Sequence, residues 1–219
     1  MEILLVLTLI LILAAEFVNG WTDAPNAIAT VVSTRALSLK KAIALATILN
    51  MAGAMAGTAV ASTIGKGIVD SSAIDLVTVA AAMCAIITWS TIAWRFGIPT
   101  SESHALIAGL TGAGLATAGT DVLLWSGWQK VLIGLGFSTF LGLMGTFILT
   151  KIIRKLSTPF SPHATKSVFK KVQVLSAGYM AFSHGSNDGQ KFIGVFALAL
   201  VLGGAFDTFS IPFWVIILC

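Results

Sequence analysis

The chain has 219 residues, 57% hydrophobic and only 10% charged, with a mean hydropathy of +0.95. A soluble domain carries about 25% charged residues, so this composition cannot cover a water-facing surface and excludes a soluble globular protein. The net charge of +4 is unevenly placed: Lys151, Arg154, Lys155, Lys166, Lys170 and Lys171 flank the polar linker "STPFSPHATKS", a pattern that marks the cytoplasmic side of a membrane protein rather than a nucleic-acid surface.

Apolar runs predict helices at about 3–20, 39–65, 72–95, 102–119, 130–155, 167–183, 189–205 and from 211 onward, several of them reaching the roughly 20 residues that a bilayer crossing needs. Only Glu2 precedes the first run, so the basic start of a cleaved signal peptide is missing. Small residues four apart, at Gly53, Gly57 and Ala61 and at Ser138, Gly142 and Thr146, give faces on which helices pack closely in lipid. With 151–171 placed inside, the charge rule also puts Arg35, Lys40 and Lys41 inside. The N-terminus and residues 120–130 are then expected outside. Cys84 and Cys219 form no disulfide framework, and His163 lies in the polar linker.

The first run ends in "TDAPNA", residues 22–27. Thr22 or Asp23 is placed to cap a helix starting at Pro25, since proline suits the first helical position. The third run is followed by "RFGIPTSESHALIAG", 95–109. Pro99 stops one helix and Thr100 or Ser101 caps the next, whose N-terminus offers free N–H groups and partial positive charge. Hydroxyls of Thr100, Ser101 and Ser103, with His104, add donors suited to a tetrahedral oxyanion. Glu102 in that first turn repels an anion unless it faces away or holds a cation.

The most demanding stretch is "FSHGSNDGQKF", 182–192, which sets His184, Ser186, Asn187, Asp188, Gln190 and Lys191 between apolar runs. An aspartate at bilayer depth costs about 2.5–3.5 kcal/mol, and such residues default to function. Asp188 and Lys191 are three apart, so their side chains can meet on a helix. Gly185 and Gly189 permit unwound backbone, tolerated at depth only where it lines protein or water. Aligned at an offset of 165 residues, Gly20, Asp23 and Ile28 match Gly185, Asp188 and Ile193. The first run is expected to travel inward and the second outward. Oppositely oriented repeats with a polar break in each point to a secondary transporter. A hydrolase built on Ser101, His104 and Asp23 has no nucleophile elbow to support it and leaves the second aspartate unexplained; an enzyme is not expected.

Three stretches, Gly20 to Ala27, Pro99 to His104 and His184 to Lys191, together resemble the PiT family of inorganic phosphate transporters, with its duplicated Gly/Asn/Asp signatures and its Pro-Ser/Thr-His element at a helix start. The resemblance implies an all-α integral membrane protein, a multi-pass helical bundle with inverted-topology repeats and broken or re-entrant helices, located in the cell membrane. It implies import of inorganic phosphate with a coupling ion, sodium or proton, and no other cofactor. The expected phosphate ligands are Asn26, Thr100, Ser101, Ser103, His104, Asn187 and Lys191. Asp23, Asp188, Glu102 and Asn26 are the expected cation ligands, with Asp23 and Asp188 holding sodium if sodium is the coupling ion. Lys191 either neutralises Asp188 or touches phosphate. Another tetrahedral oxyanion such as sulfate, or a non-transporting half-protein that needs a partner chain, is the alternative.

The sequence departs from the family pattern in one respect. A second Pro-Ser/Thr-His element is expected about 165 residues beyond Pro99, past Cys219. The expected organisation is therefore a first repeat over 1–158, a cytoplasmic linker over 159–166, and the start of a second, inverted repeat over 167–219. On this reading the 219 residues insert into lipid without catalysing uptake, unless two chains share their halves in a homodimer.

Overall fold

The computed structural model describes residues 2–219, the side chain of Pro162 excepted. Ten α-helices follow one another: α1 (Glu2–Asp23), α2 (Ala29–Ser33), α3 (Leu39–Ala54), α4 (Ala59–Gly67), α5 (Leu76–Phe96), α6 (Glu102–Ala118), α7 (Trp125–Ser157), α8 (Pro162–His184), α9 (Gln190–Leu202) and α10 (Phe213–Leu218). A 3₁₀ turn (Ala24–Ala27) joins α1 to α2, and a π-helical turn (Gly185–Gly189) joins α8 to α9. The all-helical membrane architecture expected from the sequence is what the chain adopts. Three helical segments, at Glu2–Ala27, Leu76–Phe96 and Trp125–Ser157, are long and apolar enough to cross a bilayer.

The centre of the molecule is α9. Its sequence, "QKFIGVFALALVL", is apolar on every side after its first two residues, and a helix of that kind must be enclosed. Residues 190–200 are all buried. Phe192, Val195 and Phe196 pack in one core with Ile12 and Ala15 of α1, Val79 and Met83 of α5, and Leu106 and Leu110 of α6. A smaller core joins Ile28 and Val31 to Ala42 and Ala46 of α3 and to Ala177 and Ala181 of α8. Outside these cores α7 leaves its apolar residues exposed along the whole of its membrane-length stretch.

Three expectations are corrected. The run 39–65 is not one helix: α3 and α4 meet at a 63° bend across Met55–Thr58. No proline marks the break; the bent pair instead follows α8 and α9 at backbone-to-backbone crossings. A Cβ on Gly53 would strike the Phe182 carbonyl, one on Gly185 the Asn50 carbonyl, and one on Gly194 the Ala61 carbonyl. Next, residues 185–189 are not unwound, because the wider π turn absorbs the two glycines within a continuous helical path. Last, the helix expected at 167–183 begins earlier, since Ser161 accepts the backbone N–H of Ala164 at 3.3 Å and starts α8 at Pro162.

The connection that carries the central hydroxyls is fixed at both ends. Asp75 caps α5 by accepting the backbone N–H of Thr78 at 2.8 Å. Gly97 closes α5 with φ of 65°, a left-handed conformation that costs glycine nothing. Ile98 and Pro99 then lead into Ser101, which caps α6 by accepting His104 N–H at 3.4 Å.

Candidate functional site

Where α1 ends, three elements converge: the 3₁₀ turn after Asp23, the first turn of α6, and the π turn with the start of α9. Asp23 does not cap the turn that follows it; its Oδ1 accepts the Asn26 side-chain amide at 2.8 Å. That correction has a local cause, because Pro25 brings no N–H to the turn and Asn26 returns a donor to the same carboxylate. Thr22 likewise turns back, donating its hydroxyl to the Val18 carbonyl at 2.8 Å and to Glu102 Oε1 at 3.3 Å.

The second aspartate sits one π turn below His184. Lys191 Nζ is 2.8 Å from Asp188 Oδ1 and donates to Ser103 Oγ at 2.9 Å, and Ser103 in turn donates to Asp188 Oδ1 at 3.3 Å. Lysine, aspartate and serine thus close a three-membered ring that joins α9 and the π turn to the start of α6. The i, i+3 pairing expected from the sequence is made, and Lys191 is 2% exposed. In a partly desolvated setting such a pair is worth far more than at a surface.

His184 stands between the two signatures. Its Nε2 lies 3.3 Å from Asp188 Oδ2 and 4.0 Å from Asp23 Oδ2. Its Nδ1 is 2.7 Å from Asn50 Oδ1, and Asn50 gives its own amide to the Ala46 carbonyl at 2.8 Å. An amide oxygen only accepts, so Nδ1 donates and the ring is held with Nε2 toward the carboxylates. Asp23, His184 and Asp188 each offer one ligand atom within a 4.8 Å cluster. Two carboxylates and an imidazole at that spacing suit a small cation.

Beside this cluster lies a cavity of about 280 Å3 lined by Thr22, Asp23, Asn26, Trp94, Gly97, Ile98, Pro99, Thr100 and Glu102. Glu102 is 2% exposed, with Oε2 accepting the Ser90 hydroxyl at 2.6 Å and Oε1 accepting from Thr22. Thr100 Oγ1 accepts the indole N–H of Trp89 at 2.8 Å, which leaves its hydroxyl hydrogen free to donate.

The structure therefore gathers Asp23, Asn26, Thr100 and Glu102 around one cavity, and Ser103, Asp188 and Lys191 in the cluster beside it. Ser101 accepts at its cap, which leaves its hydroxyl hydrogen free to donate, and His104 is exposed. Asn187 is exposed too, with its amide turned back to the Ser183 carbonyl at 2.8 Å. Sequence reasoning gave no role to His184, Asn50 or Ser90. For Asn50 the available signal was a lone amide in the apolar part of α3, whereas Ser90, set between Thr88 and Thr91 in α5, carried none.

The phosphate transporter family model matches residues 19–219. Probable low-affinity inorganic phosphate transporters of Bacillus subtilis and Rhizobium meliloti are 39% and 40% identical, over 100% and 93% of this chain and 68% and 62% of their own lengths. Against mycobacterial relatives the chain spans about half their length, 52%. A solved sodium-dependent phosphate transporter shares the fold, with a TM-score of 0.87 over 98% of this chain and 72% of that one, at 24% identity. With the match running from Asn19 through both aspartate signatures to the last residue, the chain belongs to the phosphate transporter family, a family of membrane transporters rather than enzymes.

Proposed function

We propose that this chain carries the phosphate and cation sites of a secondary active importer of inorganic phosphate. The observation that supports this best is the convergence of Asp23 and Asp188, 165 residues apart in sequence, on the two sides of His184 Nε2. Asp23, Asp188 and, in the adjoining cavity, Glu102 supply the oxygens for a coupling cation, sodium or proton. The first turn of α6, with Thr100, Ser101 and, once a cation takes Asp188 from it, Ser103, and the amide of Asn26 supply donors for phosphate. The carboxylates repel the anion until a cation is loaded, so cation binding precedes phosphate. Lys191 is committed to Asp188 and Ser103, and its role is to neutralise the aspartate and orient the serine. The first repeat over 1–158 and the start of a second, inverted one over 167–219, with the N-terminus outside and 151–171 inside, place both aspartate signatures at the meeting point on which alternating access relies, while uptake by these 219 residues alone is not expected.

Binding of labelled phosphate to the purified chain in lipid nanodiscs tests the assignment, with sodium and pH varied and sulfate and arsenate as competitors. Cation-dependent binding should fall at least tenfold in Asp23→Asn and in Asp188→Asn, and arsenate should compete better than sulfate. Binding that ignores both substitutions sinks the site, and equal competition by sulfate sinks the substrate.

A further inference from the structure

A second cavity, of about 490 Å3, adjoins His184 and runs between α1, α3 and α10. Its lining is glycine and apolar side chains except for Glu16, Asn19, Thr47, Asn50, His184 and Cys219. Three buried polar atoms of these residues lack any hydrogen-bond partner: His184 Nε2, which faces the two aspartates, and two acceptors on α1. Glu16 Oε2 is shut off from solvent and bonded to nothing, and so is Oδ1 of Asn19, a residue 2% exposed. The two residues are three apart on α1, so their side chains share one face of the helix.

A buried carboxylate without a counter-charge is costly enough that it must be neutralised in place. The charged and titratable groups around Glu16 do not supply that. Lys191 of α9 is held by Asp188 at 2.8 Å, Asp188 is itself acidic, and His184 is turned toward the two aspartates. Cys219 after α10 carries no positive charge. From α5, which packs along α1, the only charged side chain is Arg95 in its last turn. Among the described residues no group neutralises it, and a small cation held by hard oxygen ligands fits.

We propose that Glu16 and Asn19 form a second monovalent-cation site, for Na+ or H+, in the cavity beside His184 and separate from the Asp23–Asp188 cluster. The site extends the transport reading without relying on the two aspartates as ligands. A cation there lies on the cavity side of His184, where its arrival bears on Asp23 and Asp188 through the imidazole that Asn50 orients.

The test uses the purified 219-residue chain in nanodiscs, in an Asp23→Asn, Asp188→Asn, Lys191→Gln background that removes the first site without leaving the Lys191 ammonium free to pair with Glu16. Two readouts are followed: the melting temperature as Na+ replaces choline, and the infrared carbonyl stretch of a protonated carboxylic acid as pH is raised. The background chain should keep a saturable response in one of them. A sodium-dependent rise identifies Na+, and a pH-dependent acid band identifies H+. Glu16→Gln, close in shape and uncharged, should abolish that response, and Asn19→Ala should weaken it at least tenfold in half-saturating concentration or shift the band. A background chain that responds to neither cation overturns the proposal, as does a response that survives Glu16→Gln. If the unmodified chain and the background respond identically to sodium, it is the aspartate assignment that fails, and Glu16 stands.

Discussion

Replacing Lys191 with glutamine removes the ammonium from the Lys191–Asp188–Ser103 ring while keeping the length of the side chain. Deleting one partner of a buried ion pair costs about 3–5 kcal/mol, because the remaining charge is left uncompensated. Asp188 keeps 18% of its side chain exposed and has His184 Nε2 at 3.3 Å on its other oxygen, so the lower end applies, about 3 kcal/mol. For a chain of this size each kcal/mol moves the melting temperature by roughly 2–4 °C, which predicts a fall of about 6–12 °C. Adding Asp188→Asn restores a neutral pair, and the double variant should lose only about 1 kcal/mol, the scale of an ordinary hydrogen bond. Thermal unfolding in nanodiscs, followed by tryptophan fluorescence for the two singles and the double, gives the coupling directly. A double variant whose loss equals the sum of the singles would mean that the pair contributes nothing. Lys191 would then be free to meet the anion itself.

The crossing of α3 and the π turn should be as intolerant. Gly185→Ala places a methyl against the Asn50 carbonyl, and such overpacking costs about 1–3 kcal/mol. The melting temperature should drop accordingly, while Gly142→Ala, which meets nothing, should leave it unchanged. Orientation is read by cysteine labelling: in a Cys84→Ala, Cys219→Ser background, Ser161→Cys in intact cells should resist an impermeant thiol reagent. Ready labelling would invert the assigned topology.

Much of this was legible in the sequence because polar residues in an apolar chain have few places to go. Asp23, Asp188 and the Pro99–His104 element stood out against their surroundings, and the structure brings the two aspartates and Ser103 to one locus. The i, i+3 spacing gave the Asp188–Lys191 contact outright. The bend between α3 and α4 was hidden, since Met55, Ala56, Gly57 and Thr58 contain no proline and the cause lies in Gly53, Gly185 and Gly194, which match across two different helix pairs. His104 and Asn187 were donors by type, and both are exposed, with the Asn187 amide turned back to the Ser183 carbonyl, a detail of helix phase that the sequence does not show. Glu16 escaped notice because a lone carboxylate seven residues before Asp23 belongs to no pattern.

The long α7 has a consequence for how the protein sits in lipid. Its 33 residues extend roughly 50 Å, and the uncharged part from Val131 to Thr150 takes up about 30 Å of that, the thickness of a hydrocarbon core. The helix therefore matches a bilayer along that stretch, with the exposed Trp125 beyond one end and Lys151, Arg154 and Lys155 beyond the other, residue types suited to the two interfaces. The helix is tied to the bundle near its start. Gly127 abuts Gly67, and Leu124 N–H bonds the Ile68 carbonyl at 3.2 Å. A bilayer whose thickness departs from the length of α7 shifts that helix, and the shift reaches the end of α4, which packs along α9, the helix of Lys191. Membrane thickness thereby becomes a mechanical input to the elements that carry the binding groups.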